Sequence, residues 1–78
     1  MIQEPVAVAT SLTQSKLMPE KMLWRGRTYQ FQSCGMEYSR YEGDALLYVF
    51  YMTMREACMQ LMLNTKTLRW TLSEIESV

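Results

Sequence analysis

The chain contains no histidine. Histidine is the side chain most often used for proton transfer near neutral pH, so its absence removes the commonest route to acid–base catalysis. It is also the commonest metal ligand. The two cysteines, Cys34 and Cys58, lie too far apart in sequence to form a ligand cluster by themselves. Only three glycines are present, and they stand singly at Gly26, Gly35 and Gly43. No glycine-rich loop is therefore available to cradle a phosphate. Eight basic residues balance eight acidic ones, which leaves no global field to draw in nucleic acid or anionic lipid. The longest apolar run, Ala45 to Met52, falls far short of the roughly 20 residues that a membrane-crossing helix needs. The opening Met1-Ile2-Gln3-Glu4-Pro5 lacks the basic start and apolar core of a signal peptide. A cytoplasmic location is expected, which favours Cys34 and Cys58 as free, packed thiols over a disulfide between them. No catalytic residue, metal or cofactor is expected. The carboxylates Glu37, Glu42 and Asp44 fall in one polar stretch and read as a solvated loop.

What is present points to a β protein. The 78 residues suffice for one domain spanning 1–78. A domain of this size buries only about 60–65% of the surface its unfolded chain exposes, so its stability margin is thin. Val6, Val8 and Thr10 alternate behind Pro5, as in a short strand that starts at an edge. Residues 11–18 are mostly polar and read as a loop, with room for one helical turn, ended by Pro19. Trp24-Arg25-Gly26-Arg27 has the form of a tight hairpin, since glycine supplies the positive φ such turns need. In its second arm Tyr29 and Phe31 face one way, and Thr28, Gln30 and Gln32 the other. The segment 35–44 reads as a loop or an extended excursion. Residues 45–53 carry the strongest strand pattern, rich in aromatic and β-branched side chains. At 57–63 the apolar positions fit a strand or a short helix. The turn residues Asn64-Thr65-Lys66-Thr67, followed by Leu68, Trp70 and Leu72 at period two, favour the strand. Ser73 to Val78 either complete that last strand or fray. The fold class expected is mostly β: a small barrel or strongly bent antiparallel sheet of about six short strands, with at most one short helix.

Two features stand out as candidate binding surfaces. The first is the hairpin of Trp24, Arg25, Arg27 and Tyr29. Arginines beside aromatics contact phosphates and stack on bases, and the same residue types are enriched in protein hot spots. The second is the 45–53 strand, which is apolar on both faces. Leu46, Tyr48, Phe50 and Met52 share one face; Leu47, Val49 and Tyr51 share the other. One face covers the domain's own core, and the other must also be covered, by the opposite wall of a barrel or by another chain. Tyr48, Val49, Tyr51 and Met52 are the expected contact residues. Eight methionines add adaptable apolar surface.

Glu4-Pro5-Val6, Pro19, Trp24-Arg25-Gly26-Arg27-Thr28-Tyr29 and the closing Asn64-Thr65-Lys66-Thr67-Leu68-Arg69-Trp70 together resemble a family of small uncharacterised bacterial β-rich domains. Some of its members are encoded near translesion DNA polymerase genes. The compact motif is Trp-Arg-Gly-Arg-x-Tyr. The chain departs from the pattern at Leu68, where a turn glycine would stand, and lacks a tryptophan between Cys34 and Ala45. The resemblance implies a β-rich fold and supplies no catalytic residues.

The resulting expectation is a non-catalytic protein-interaction or accessory module, acting as a homodimer or on another protein. The alternative is a small domain that binds single-stranded nucleic acid. Zero net charge weighs against it, since such binding is largely electrostatic.

Overall fold

The computed structural model describes residues 2–14 and 16–77. They form seven strands and, among the described residues, no helix: β1 (Glu4–Thr13), β2 (Lys16–Trp24), β3 (Arg27–Gln30), β4 (Ser33–Glu42), β5 (Ala45–Met54), β6 (Ala57–Asn64) and β7 (Arg69–Ser77). Neighbours in the sheet run in the order β3-β2-β1-β7-β6-β5-β4, and every pair is antiparallel. The chain thus makes two meanders, β1–β3 and β4–β7. They meet where Glu4, Pro5 and Val6 lie opposite Leu72, Thr71 and Trp70. The Ile2 N–H adds a bond to the Ser73 carbonyl at 3.0 Å.

The curvature of the sheet is set at residues 31 and 32. The Phe31 N–H donates to the Glu20 carbonyl on β2, while the next N–H, of Gln32, donates to the Thr53 carbonyl on β5. Successive residues bond to opposite ends of the strand order, so the two sheet edges approach each other there. The result is a strongly curled half-barrel. Its concave side holds a core of Met22, Phe50, Met52, Met59, Leu61 and Leu72, with Val6, Trp24, Tyr29, Phe31 and Trp70 packed around it. Three of those six core residues are methionines, whose unbranched side chains fit the irregular inside of a bent sheet.

Two tight turns account for much of the register. Arg25 and Gly26 both have positive φ, 51° and 77°, as the hairpin turns that match strand twist require. After β6, the Asn64 side-chain oxygen accepts the N–H groups of Lys66 and Thr67. Leu68 closes that turn at a φ of 60°.

The sheet has one strand more than expected. Of the two readings of 35–44 the extended one holds as far as Glu42: Ser33 to Glu42 pair with β5 from Thr53 to Ala45, and Gly43 and Asp44 form the turn. Every residue of β4 except Cys34 is exposed, so the strand lacks the buried alternation that betrays strands in sequence. Residues 11–13 and 16–18 likewise extend β1 and β2. Pro19 does not end them. It sits buried inside β2, opposite Thr10, where the register shifts between Ala9 and Thr10; proline is accommodated at such irregularities. Segment 57–63 is strand, as the following turn favours. The residues after Ser73 complete β7, except Val78, which lies outside the described residues.

Candidate functional site

Strand pairing fixes which face each side chain occupies. Leu61, Met59 and Phe50 belong to the core, and their cross-strand partners put Glu37, Ser39, Tyr41, Tyr48 and Met52 on the same concave side. Met36, Tyr38, Arg40, Leu47, Val49, Tyr51 and Met62 occupy the convex side.

The four β5 residues expected to bind a partner are therefore divided. Tyr48 and Tyr51 are each 37% exposed, but they lie on opposite faces. Met52 is buried in the core, and Val49 is 0% exposed. Neither is available to a partner, which corrects the expectation drawn from the two-faced pattern. The convex face of β5 is covered from within the sheet. Tyr38 on β4 and Met62 on β6 flank Val49. Arg40 starts on β4 and reaches over β5, and its guanidinium donates to the Met62 sulfur at 3.5 Å. The aliphatic stem of an arginine covers apolar surface well while its head stays in water.

The hairpin residues do come together. The Trp24 and Tyr29 rings lie 5.9 Å apart at 47°. Arg25 stands 4.6 Å over the Trp24 ring and Arg27 5.8 Å over Tyr29. Both aromatics are half-buried at the rim of the core. Arg25 is already engaged: it donates to both carboxylate oxygens of Glu4, at 2.6 and 3.4 Å, and the Trp24 indole N–H donates to the same carboxylate at 3.1 Å. These bonds hold the Glu4 carboxyl below its ordinary value, Arg25 contributing most. Sequence spacing gave no sign of Glu4, which is 21 positions from Arg25.

Exposed apolar side chains also lie on β4, where no contact residue was expected. Met36 is 58% exposed on the convex face, beside Tyr38, which stacks on Tyr51 at 6.4 Å, and Tyr41 is 70% exposed on the concave face. Loss of solvent, with a lesser effect of Tyr38, raises the Tyr51 phenol above its ordinary value. Among the described residues β4 pairs only with β5, so its outer edge is free along all ten residues. The opposite sheet edge, β3, has four. The sequence offered no period-two signal for β4, because each alternate set, Met36, Tyr38, Arg40 and Glu37, Ser39, Tyr41, mixes a tyrosine with a charge and neither side is buried.

Beside β4 the end of the β1–β2 hairpin leaves a cleft of about 330 Å³, walled by Leu12, Leu17, Tyr48 and Phe50. The Lys16 ammonium and the Glu37 carboxylate meet across it at 2.5 Å.

No family model, curated protein or solved structure matches this chain.

Cys34 and Cys58 are both free. Their partners, Met52 and Thr53, place them on opposite faces of the sheet. Burial pushes the Cys34 thiol above its ordinary range, the reverse of what activates a nucleophile. Among the described residues no group of three or more His, Cys, Asp or Glu side chains is placed to hold a metal ion. No helix of the described residues is long and apolar enough to cross a membrane.

Proposed function

We propose that this chain is a non-catalytic protein-interaction module that offers the free edge of β4, with the tyrosines beside it, to another polypeptide. The observation that carries this reading is the ten-residue unpaired edge, exposed except at Cys34 and bearing Met36, Tyr38 and Tyr41. Long free edges carry rows of unpaired N–H and C=O groups that recruit a further strand. Proteins that do not use such edges shorten, kink or charge them; β3 is short, whereas β4 runs ten residues without lysine or proline, its register shift confined to the Cys34–Met36 end and its inward-pointing Glu37 held by Lys16. Tyrosine adds a large, rigid contact surface with a polar tip.

The test places a photo-crosslinking amino acid at Met36 or Tyr41 in cells, with Leu23 on the far side of the sheet as the control. Both β4 probes are expected to trap a polypeptide that the Leu23 probe does not. Equal or absent trapping at all three positions would remove the reading.

The alternative, a single-stranded nucleic-acid-binding domain, is supported by the arginines stacked on Trp24 and Tyr29. Against it, Arg25 is neutralised by Glu4, the formal net charge is zero, and the arginines occupy the ring faces that bases would need. Titration of labelled single-stranded DNA at low salt separates the two: saturable binding that salt weakens belongs to the alternative alone.

A further inference from the structure

We infer that the partner of β4 is a second copy of this chain, joined antiparallel along the two β4 edges about a two-fold axis at Ser39. The inference rests on the interaction reading above and names the occupant of that edge.

The regular part of the edge sets the length. The ladder with β5 shifts between Cys34 and Met36, then runs unbroken from Met36 to Glu42. Ser39 is the middle residue of that stretch. A two-fold axis normal to the sheet places residues of the same face opposite each other, so each choice of centre gives a defined set of pairs. With Glu37 on the axis, two carboxylates stand directly opposite. With Arg40 there, two guanidinium groups do. Like charges directly opposite destabilise a strand pair. A centre at Tyr38 drives the ladder across the irregular Cys34–Met36 step.

The Ser39 centre avoids all three faults. It uses the whole regular stretch, and the smallest side chain of that stretch meets its own copy. On the convex face Tyr38 lies opposite the partner's Arg40, twice by symmetry; the guanidinium turns from the Met62 sulfur it meets within one chain to the ring across the edge, a cation against an aromatic face. On the concave face Glu37, one oxygen of which holds the Lys16 ammonium of its own chain, lies opposite the partner's Tyr41, whose phenol O–H donates to the other oxygen. At the ends Met36 faces the partner's Glu42. No like-charge pair remains. Glu37, an inward-pointing charge on an edge, is a device that limits indiscriminate pairing; here it selects the register. Seven residues of edge bury less than the ~1,600 Å² of a standard interface, so the dimer is a weak one.

The experiment is sedimentation of the wild type and variants from about 5 µM to about 1 mM, a range that brackets a weak association. The expected result is a reversible dimer. Tyr38→Lys, which opposes Lys to the partner's Arg40, weakens it at least tenfold. Met36→Lys, which opposes Lys to the partner's Glu42, tightens it severalfold. On a Cys34→Ser, Cys58→Ser background, Ser39→Cys oxidises to a covalent dimer and Glu37→Cys does not. All four substituted β4 positions are exposed, so folding is not at stake. A wild type that stays monomeric throughout overturns the inference. So does a dimer that Met36→Lys weakens, or one that cross-links through Glu37→Cys instead of Ser39→Cys. If the wild type is monomeric while the Met36 and Tyr41 photo-probes trap a different protein, the second-copy inference falls and the interaction module stands. If those probes trap nothing, both fall.

Discussion

Leu68 holds a left-handed backbone, with φ at 60°, and its side chain is 74% exposed. A residue with a Cβ pays about 1–2 kcal/mol for that conformation, and no burial of its side chain offsets it here. Glycine adopts it freely but loses more freedom on folding. Leu68→Gly is therefore expected to stabilise the domain by about 0.5–1 kcal/mol, read from chemical denaturation. A loss of stability would mean that the Leu68 side chain has a role in the turn. Glu4 makes a different demand, on pH. Its carboxyl is held below the ordinary value of 4.5 by Arg25 and then Trp24. A carboxyl depressed by folding stabilises the fold above its unfolded value, and that contribution is lost as pH falls through the folded value. Glu4→Gln should therefore lower the melting temperature at pH 7. The gap from wild type should close as pH drops below about 4. A gap independent of pH would assign the effect to packing at Trp24 instead of to the ion pair.

At the level of elements, legibility in sequence followed burial. The strands around Tyr29 and Phe31, and those at 45–53, 57–63 and 68–72, could be read because alternate residues enter the core. β4 could not, since neither of its faces is buried, and period-two reasoning needs a dry side. Pro19 misled for a related reason: a proline ends a regular ladder, but not one that already shifts register beside it. The candidate surface was legible only in part. The two apolar faces of β5 correctly signalled that something covers both, but sequence could not say that the cover on the convex side is Arg40, Tyr38 and Met62 from neighbouring strands. That arrangement has a consequence for stability. Arg40→Ala should uncover Leu47, Val49 and Met62 and cost about 1 kcal/mol, measured at dilute concentration. Arg40→Met should recover most of it, because the stem matters more than the charge. If Arg40→Met is as damaging as Arg40→Ala, the contact of the guanidinium with the Met62 sulfur dominates instead.

Over the whole molecule, stability is expected to differ along the sheet, because its two meanders share only a short ladder. Three pairs, Glu4 to Val6 with Leu72 to Trp70, and the Ile2 bond to Ser73 form that seam. β5 with β6, by contrast, has eight paired positions. Regions with few shared bonds open first. Hydrogen exchange should find the amides of β2 and β3 exchanging as a group ahead of those in β5 and β6, and Val6→Pro should widen the difference. Uniform exchange across all seven strands would mean that the core, and not the ladder, governs opening. The seam has one more consequence. Sequence order and spatial order disagree here only because β1 and β7 are neighbours. Read around the sheet from β4 through β7 to β1 and on to β3, the strands follow one another like a ring opened at the wrong place. A circular permutant opened between Phe31 and Gln32, with the present ends joined by a short linker, would run through the sheet from one edge to the other without ever returning to its start. Its contacts would nearly all be local, and local contacts favour rapid folding.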